Sequence, residues 1–306
     1  MNRLKQQMIG NYTFEALYYN DDGIHENVKG PLTLTIRDGG GTTIYTGTPT
    51  LHAGHADSTI PVATLSKLDT YTFSYTATTD PGNVAVAWTD ELELVGDYIF
   101  EIAELRAQDR AFLDATKYPT ETLKQVRIAV EDVIEGARAG QVAFVPRGRR
   151  IKVDGNAPDY RLGWIPMMYG NDYRTLLAPD YEIRKIHSCK IDGTALTQTE
   201  IDDLGISDNQ IWRSNGVQWP AWPFGHKNIE IHYEHGRDRP TGAIRRAALI
   251  LAREYLIKSD LPGRATATSI GDQIFRLTIA GRDGLTGIPD VDAAIKNDGR
   301  SGYGLG

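Results

Sequence analysis

Apolar and polar positions alternate in short runs along the first third of the chain. TFEALYY, LTLTI, TTIYT, STIPVATL, YTFSYTAT and VAVAWTDELEL follow one another between about residues 12 and 95. A period of two, rich in threonine, tyrosine and valine, marks strands with one face buried. Gly39-Gly40-Gly41 separates two of these runs and predicts a hairpin turn, because glycine takes positive φ without a steric cost. Six or seven strands at turn spacings near ten residues predict a β-sandwich of immunoglobulin type over residues 1–96, with Trp88 as a core anchor. No Cys-Trp-Cys signature accompanies it, so the expectation rests on pattern alone.

Around Tyr98 the period lengthens. RAQDRAFLD predicts a helical turn or two, and PTETLKQVRIAVEDVIEGARAG a longer helix at about 119–138. Leu123, Val126, Val130, Val133 and Ala137 form its apolar stripe, Pro119 and Glu121 suit its first turn, and Gly140 ends it. From about 142 to 235 the pattern returns to strands: VAFVPRGRRIKV, DYEIRKIHSCKIDGTAL, NQIWRSNGVQW and NIEIHYEHG. Asp192-Gly193 and Asn215-Gly216 supply turn dipeptides between them.

A second helix is predicted at about 241–258, TGAIRRAALILAREYLIKSD. Ile244, Ala248, Leu251 and Tyr255 make its main stripe, flanked by Ala247, Ala252 and Leu256. Leu249, Ile250 and Ile257 lie off that stripe, and only Arg245, Arg246, Arg253 and Lys258 interrupt the apolar surface. So much apolar surface predicts a neighbour beyond one small core. After Pro262-Gly263 the residues to 295 show one strand-like run, IFRLTIA, holding Phe275, Leu277 and Ile279, and then Thr286-Gly287-Ile288-Pro289. They predict an extended tail over 261–306 that assembly orders, and whose deletion from residue 260 onward leaves a folded protein.

Composition narrows the classes. The 306 residues are 41% hydrophobic and 24% charged, the balance of a soluble globular protein of about two domains. No apolar run reaches the roughly 18 residues of a membrane span, and the N-terminal MNRLKQQMIGNY lacks the apolar stretch of a signal peptide. These features predict a protein that stays in the cytoplasm where it is made, without a membrane partner. The single cysteine, Cys189, rules out an intrachain disulfide and reads as a small core hydrophobe. A net charge of −7 argues against gripping nucleic acid by phosphate neutralisation, while allowing DNA to slide past.

Candidate chemistry is sparse. His52, His55 and Asp57 bring ligand-type residues together, yet without the helical spacing of a zinc site or a third strong ligand, so a polar loop tip is preferred. In His232-Tyr233-Glu234-His235, strand alternation sends neighbours to opposite faces, so the four cannot converge. No nucleophile-elbow, zinc-protease or phosphate-loop pattern is present, and no enzyme is expected. Trp212, Trp219, Trp222 and Phe224 fit a sugar-stacking platform or, more commonly, core packing. Arg147, Arg149 and Arg150 in RGRR fit a solvated face or a salt-bridging interface better than a DNA grip.

Five stretches in order carry a family resemblance: ELRAQDRAFLDATKYPTETLKQVRIAVEDVIE, AFVPRGRR, CKIDGTAL, WPFGHKNIEIHYEHG running into RPTGAIRRAALILARE, and TGIPDVDAAI. Over residues 104–296 the chain resembles the head-to-tail connector, or adaptor, proteins of long-tailed double-stranded DNA bacteriophages. The larger forms from phages of actinobacteria, with an immunoglobulin-like extension before the core, are the most similar. The chain departs from the pattern in having only Pro240 before the second long helix. The resemblance implies an α+β multidomain protein. Its parts are an N-terminal sandwich, a connector core over 97–260 with a β insertion, and the tail.

It further implies a structural virion protein of the neck, made in the host cytoplasm, that forms a ring, usually of twelve copies, under the portal. The ring joins portal to stopper and tail, and double-stranded DNA passes through it without sequence recognition. No catalytic residue, metal or cofactor is implied. Subunit or partner contacts are expected at Arg245, Arg246, Ile250, Arg253, Ile257, Phe275, Leu277, Ile279, Thr286, Gly287, Ile288 and Pro289. A stopper or other neck protein is the nearest alternative. A carbohydrate-binding adhesion module using Trp219 and Trp222 is the more distant one.

Overall fold

The computed structural model describes residues 2–52, 55–137, 143–155, 175–213, 222–223, 225–257, 267–270, 273–276 and 286–298. Among them strand outweighs helix, 44% to 26%, so sheets carry most of the fold. Five α-helices occur among the described residues: α1 (Ile102–Gln108), α2 (Thr120–Gly136), α3 (Gln198–Asp202), α4 (Gly242–Leu256) and α5 (Pro289–Asn297). Two compact units divide the chain, and they do not follow its order. One joins Met1–Asp97 to Pro146–Gly236; the other joins Tyr98–Val145 to Arg237–Gly306. The strands expected as an insertion in the connector core thus share a compact unit with the N-terminal strands.

In the first unit the strands run β1 (Asn2–Lys5), β2 (Asn11–Ala16), β3 (Tyr18–Tyr19), β4 (His25–Glu26), β5 (Val28–Arg37), β6 (Thr43–Gly47), β7 (Thr50–His52), β8 (His55–Pro61), β9 (Thr70–Thr79) and β10 (Ala85–Val95). They form a five-stranded sheet, β1-β10-β9-β5-β6, a three-stranded sheet, β2-β8-β7, and the small β3-β4 pair. Only β1 runs parallel to its neighbour in the larger sheet. Both larger sheets contribute to one core, with Tyr12, Ala56 and Ile60 from the smaller and Leu34, Ile36, Phe73, Tyr75 and Leu94 from the larger. The alternation of YTFSYTAT is what allows this, since Tyr71, Phe73, Tyr75 and Ala77 all point inward. Gly41, at φ +79°, closes the expected turn between β5 and β6. Trp88 sits at the core's edge, stacked on Tyr75 at 5.0 Å, rather than at its centre.

The later strands are β11 (Arg147–Gly155), β12 (Thr175–Leu177), β13 (Ile183–Ile191), β14 (Thr194–Ala195), β15 (Leu204–Ser207), β16 (Gln210–Arg213) and β17 (Gly225–His235). They make two more sheets, β11-β17-β13-β14 and β12-β16-β15, over a core of Ile186, Cys189, Ile211, Trp222, Ile229 and Ile231. Asp192-Gly193, both at positive φ, turn β13 into β14 as expected. Cys189 is the buried hydrophobe expected of it, and burial pushes its thiol up to about 12. The turn at Asn215-Gly216 lies outside the described residues.

The second unit packs α1, α2, α4 and α5 around Ile99, Phe100, Phe112, Leu123, Val130, Ile134, Phe144, Ile244 and Leu251. Helix α2 fits the expected span, and all five residues of the expected stripe pack on the core, although the most buried face is shifted from it. Leu123, Arg127, Val130, Glu131 and Ile134 are buried, while Val126 and Val133 are only partly covered. The two polar residues are accommodated by specific partners. The Arg127 guanidinium lies 3.3 Å from the centre of the Tyr98 ring, and Glu131 accepts the Ile99 N–H at 2.9 Å.

The tail differs from expectation. Strands β18 (Ala267–Ile270) and β19 (Gln273–Arg276) pair as a hairpin, and the chain becomes helical at Pro289. Pro289 at the first position, with Asp290 and Asp292 in the first turn, favours helix there. Val291 and Ile295 are fully buried in the core that holds α4. Burying two such side chains is worth about 1.5–3 kcal/mol each, which is why this segment folds back instead of remaining extended.

Candidate functional site

Helix α4 and its C-terminal cap carry five of the twelve residues expected at subunit or partner contacts. Thr241 caps it, its hydroxyl accepting the Ile244 N–H at 3.4 Å. The apolar surface that predicted an outside neighbour is largely taken up inside the unit. Ile244, Ala247, Ala248, Leu249, Leu251 and Ala252 are buried, and Ile250 and Ile257 pack half-buried against the same core. Arg246, Ile250, Arg253 and Ile257 follow one stripe at spacings of four, three and four, and of these the two arginines are exposed. Tyr255, half exposed, is the large apolar residue left outside. It was expected in the core stripe, but the partners of α4 leave that end uncovered.

Two of the three expected arginines are engaged within the unit. Arg245 binds Glu104 at 2.6 Å and Arg253 lies 3.7 Å from both Asp109 and Glu254. Burial would raise the Glu104 carboxyl slightly, but its bonds from Arg245 and the Glu101 backbone hold it below the ordinary carboxylate range. Thr286, Gly287, Ile288 and Pro289 form the turn into α5. The Thr286 hydroxyl donates to Asp292 at 2.9 Å and accepts the Ile288 N–H at 3.2 Å, while Ile288 packs into the core. At its far end α5 is tied to the start of α4 through Asp298, which meets Arg237 and Thr241 at 2.7 Å each. Phe275 falls in β19; Leu277 and Ile279 lie outside the described residues.

The RGRR segment is the salt-bridging interface that its charge balance favoured. Arg147 reaches Glu93 at 3.1 Å, and Arg3 reaches the same carboxylate at 2.7 Å. Arg149 pairs with buried Asp180, and Arg150 contacts Asp69 and Asp38 at 2.7 Å each. Burial alone would raise the Glu93 carboxyl, yet Arg147 and Arg3 hold it below the usual range. The Arg147 and Arg150 pairs join the later sheets to the earlier ones within the first unit, whereas Arg149 and Asp180 both belong to the later block. Gly148 makes the approach possible, since a Cβ there would stand 1.7 Å from the Leu68 carbonyl oxygen. His232 adds a bond from Nε2 to that same oxygen at 3.0 Å.

The strand alternation read in His232-Tyr233-Glu234-His235 divides these residues among separate partners. His232 faces Leu68 and Asp69, His187 takes Glu234 at 2.6 Å, and the Tyr233 hydroxyl donates to Asp180. Burial pushes His232 and His235 below the ordinary histidine value, and the Nδ1 of each is buried without a hydrogen-bond partner. The acids that complete this network escaped the sequence reading. Glu93, Asp69 and Asp38 lie 54, 81 and 112 residues from their arginines, and no local spacing could announce them.

One member of the expected aromatic platform is taken up in the core. Trp222 is 1% exposed, its indole N–H donating to the Ile211 carbonyl at 3.3 Å, so it has no free face for a sugar ring. Trp219 and Phe224 lie outside the described residues. His52, His55 and Asp57, by contrast, converge at the paired ends of β7 and β8. Among the described residues no helix is long and apolar enough to cross a membrane. Comparison with known proteins adds no family: no protein-family model and no curated protein matches the chain.

Proposed function

We propose that the chain is a structural virion protein, a head-to-tail adaptor that forms a ring, twelve-fold on the family pattern, beneath the portal of a long-tailed phage. The observation that carries the reading is the discontinuous helical unit. Its α2 and α4 are separated by some hundred residues that hold β11 to β17 and α3, yet they pack in one core that α5 completes. A helical core interrupted by a β insertion is the order of parts that the resemblance implies. The α4 stripe of Arg246, Ile250, Arg253 and Ile257 is the surface offered to the next subunit. Head-to-tail contacts of that kind close a ring. The N-terminal sheets, read as an immunoglobulin-type sandwich, brace or decorate the outside of the neck.

Antibody labelling of virions, read by electron microscopy, tests the assignment. Label is expected at the head–tail junction. Label confined to tail fibres or capsid faces, or virions free of the chain, overturns it.

A further inference from the structure

We propose that His52, His55 and Asp57 form a binding site for a transition-metal dication of the Zn²⁺ type. The site is built by strand register rather than by helical spacing. His52 pairs with His55, and Thr50 with Asp57, across β7 and β8. Directly opposed residues share a face, as do residues two apart on one strand, so both imidazoles and the carboxylate project from the same side. Asp57 therefore supplies the third ligand that a linear reading of the motif lacks.

The donor geometry is close to that of a bound ion. One Asp57 oxygen lies 3.3 Å from His52 Nε2 and 3.8 Å from His55 Nε2, and the three donor atoms lie within 4.8 Å of one another. Zinc–ligand bonds of about 2.0–2.1 Å at tetrahedral angles place neighbouring donors about 3.3 Å apart. The two rings are stacked, with centroids at 4.9 Å and planes 19° apart, so both present their Nε2 edges to the carboxylate in parallel. A small rotation of one ring closes the set. Two imidazoles and one carboxylate suit zinc, nickel or cobalt rather than magnesium or calcium, which prefer all-oxygen shells.

The surroundings leave room for further ligands. His52 and Asp57 line a cavity of about 280 Å³ shared with Tyr45, Thr48 and Thr50. A set of three protein ligands, two of them facing such a space, leaves at least one coordination position for water. The ion would also cross-link β7 to β8 at their paired ends, stabilising the edge of the three-stranded sheet.

Calorimetric titration of the chelator-stripped full chain with ZnCl₂ tests the site, with Co²⁺ absorption reporting its geometry. The comparison is with His52→Ala, Asp57→Asn and His226→Ala, the last removing an exposed histidine that pairs with Asp154 elsewhere. One ion per chain is expected. Affinity should fall at least about tenfold in His52→Ala and in Asp57→Asn, and stay at the wild-type level in His226→Ala. Zinc should raise the melting temperature of wild type and not of the first two variants. Both altered ligands are surface residues, and circular dichroism checks that each variant folds; if one does not, the other carries the test. No saturable binding by wild type, or binding that survives both ligand substitutions, overturns the proposal.

Discussion

His232 and His235 are the residues at which pH bears most directly on this fold. Both are buried, and burial pushes each below the ordinary histidine value of 6.5. Asp69 opposes that shift at His232 while Arg150 and His187 add to it; Asp180 and Glu93 oppose it at His235 while Arg149 and Arg147 add to it. The unfolded chain then binds more protons than the folded one between each depressed folded value and 6.5, so stability rises with pH across that window. It is fully present above 6.5 and lost as pH falls through the folded values. With two groups the slope reaches at most about 2.7 kcal/mol per pH unit. Melting temperature should therefore drop on acidification below 6.5, and His232→Gln with His235→Gln should flatten that drop. A wild-type melting temperature constant down to the carboxylate range would contradict it. Glu93 and Glu234 are held low, and their contribution is lost only below the ordinary glutamate value of 4.5, so that loss begins at a lower pH than the histidine one.

At the scale of elements, α5 is the segment whose role the structure changes most. The tail was expected to be dispensable for folding, but Val291 and Ile295 lie in the core beside α4. Ile295→Ala should cost about 2–4 kcal/mol, and removal of residues 286–306 should cost more, both read from denaturant unfolding. A truncated chain with wild-type stability would contradict this placement. The strands β5, β8, β9 and β10 and the long helices α2 and α4 were legible because their periodicity is strong and local. Helix α5 was legible in principle from Pro289, Asp290 and Asp292 with Val291, Ala294 and Ile295 behind them, but nine residues beside several glycines read as tail. Arg127 and Glu131 were not legible. A polar side chain on an inward face is visible only once Tyr98 and the Ile99 N–H are in place to receive it. The three metal-ligand candidates were visible as residue types, but their convergence depends on the pairing of β7 with β8.

For the whole molecule, the division into two units built from alternating stretches of chain bears on how an adaptor would work. Two arginines of RGRR, expected to be surface or interface, hold the later sheets to the N-terminal sheets: Arg147 through Glu93 and Arg150 through Asp69 and Asp38. On the proposed reading the strand regions would act as one unit in assembly, and the helical unit with its α4 stripe would be left to make the ring. Arg245 and Arg253 already have acidic partners in their own chain, so Arg246 on the stripe, and Tyr255 on the opposite side of α4 toward a second neighbour, are the better candidates for contact. Electron microscopy of portal rings of the same virus mixed with the purified protein measures this most directly. An added ring of matching symmetry, lost when Arg246→Glu and Tyr255→Asp are combined in a chain that still folds, is the predicted result; portal rings that remain bare at saturating protein would contradict the account.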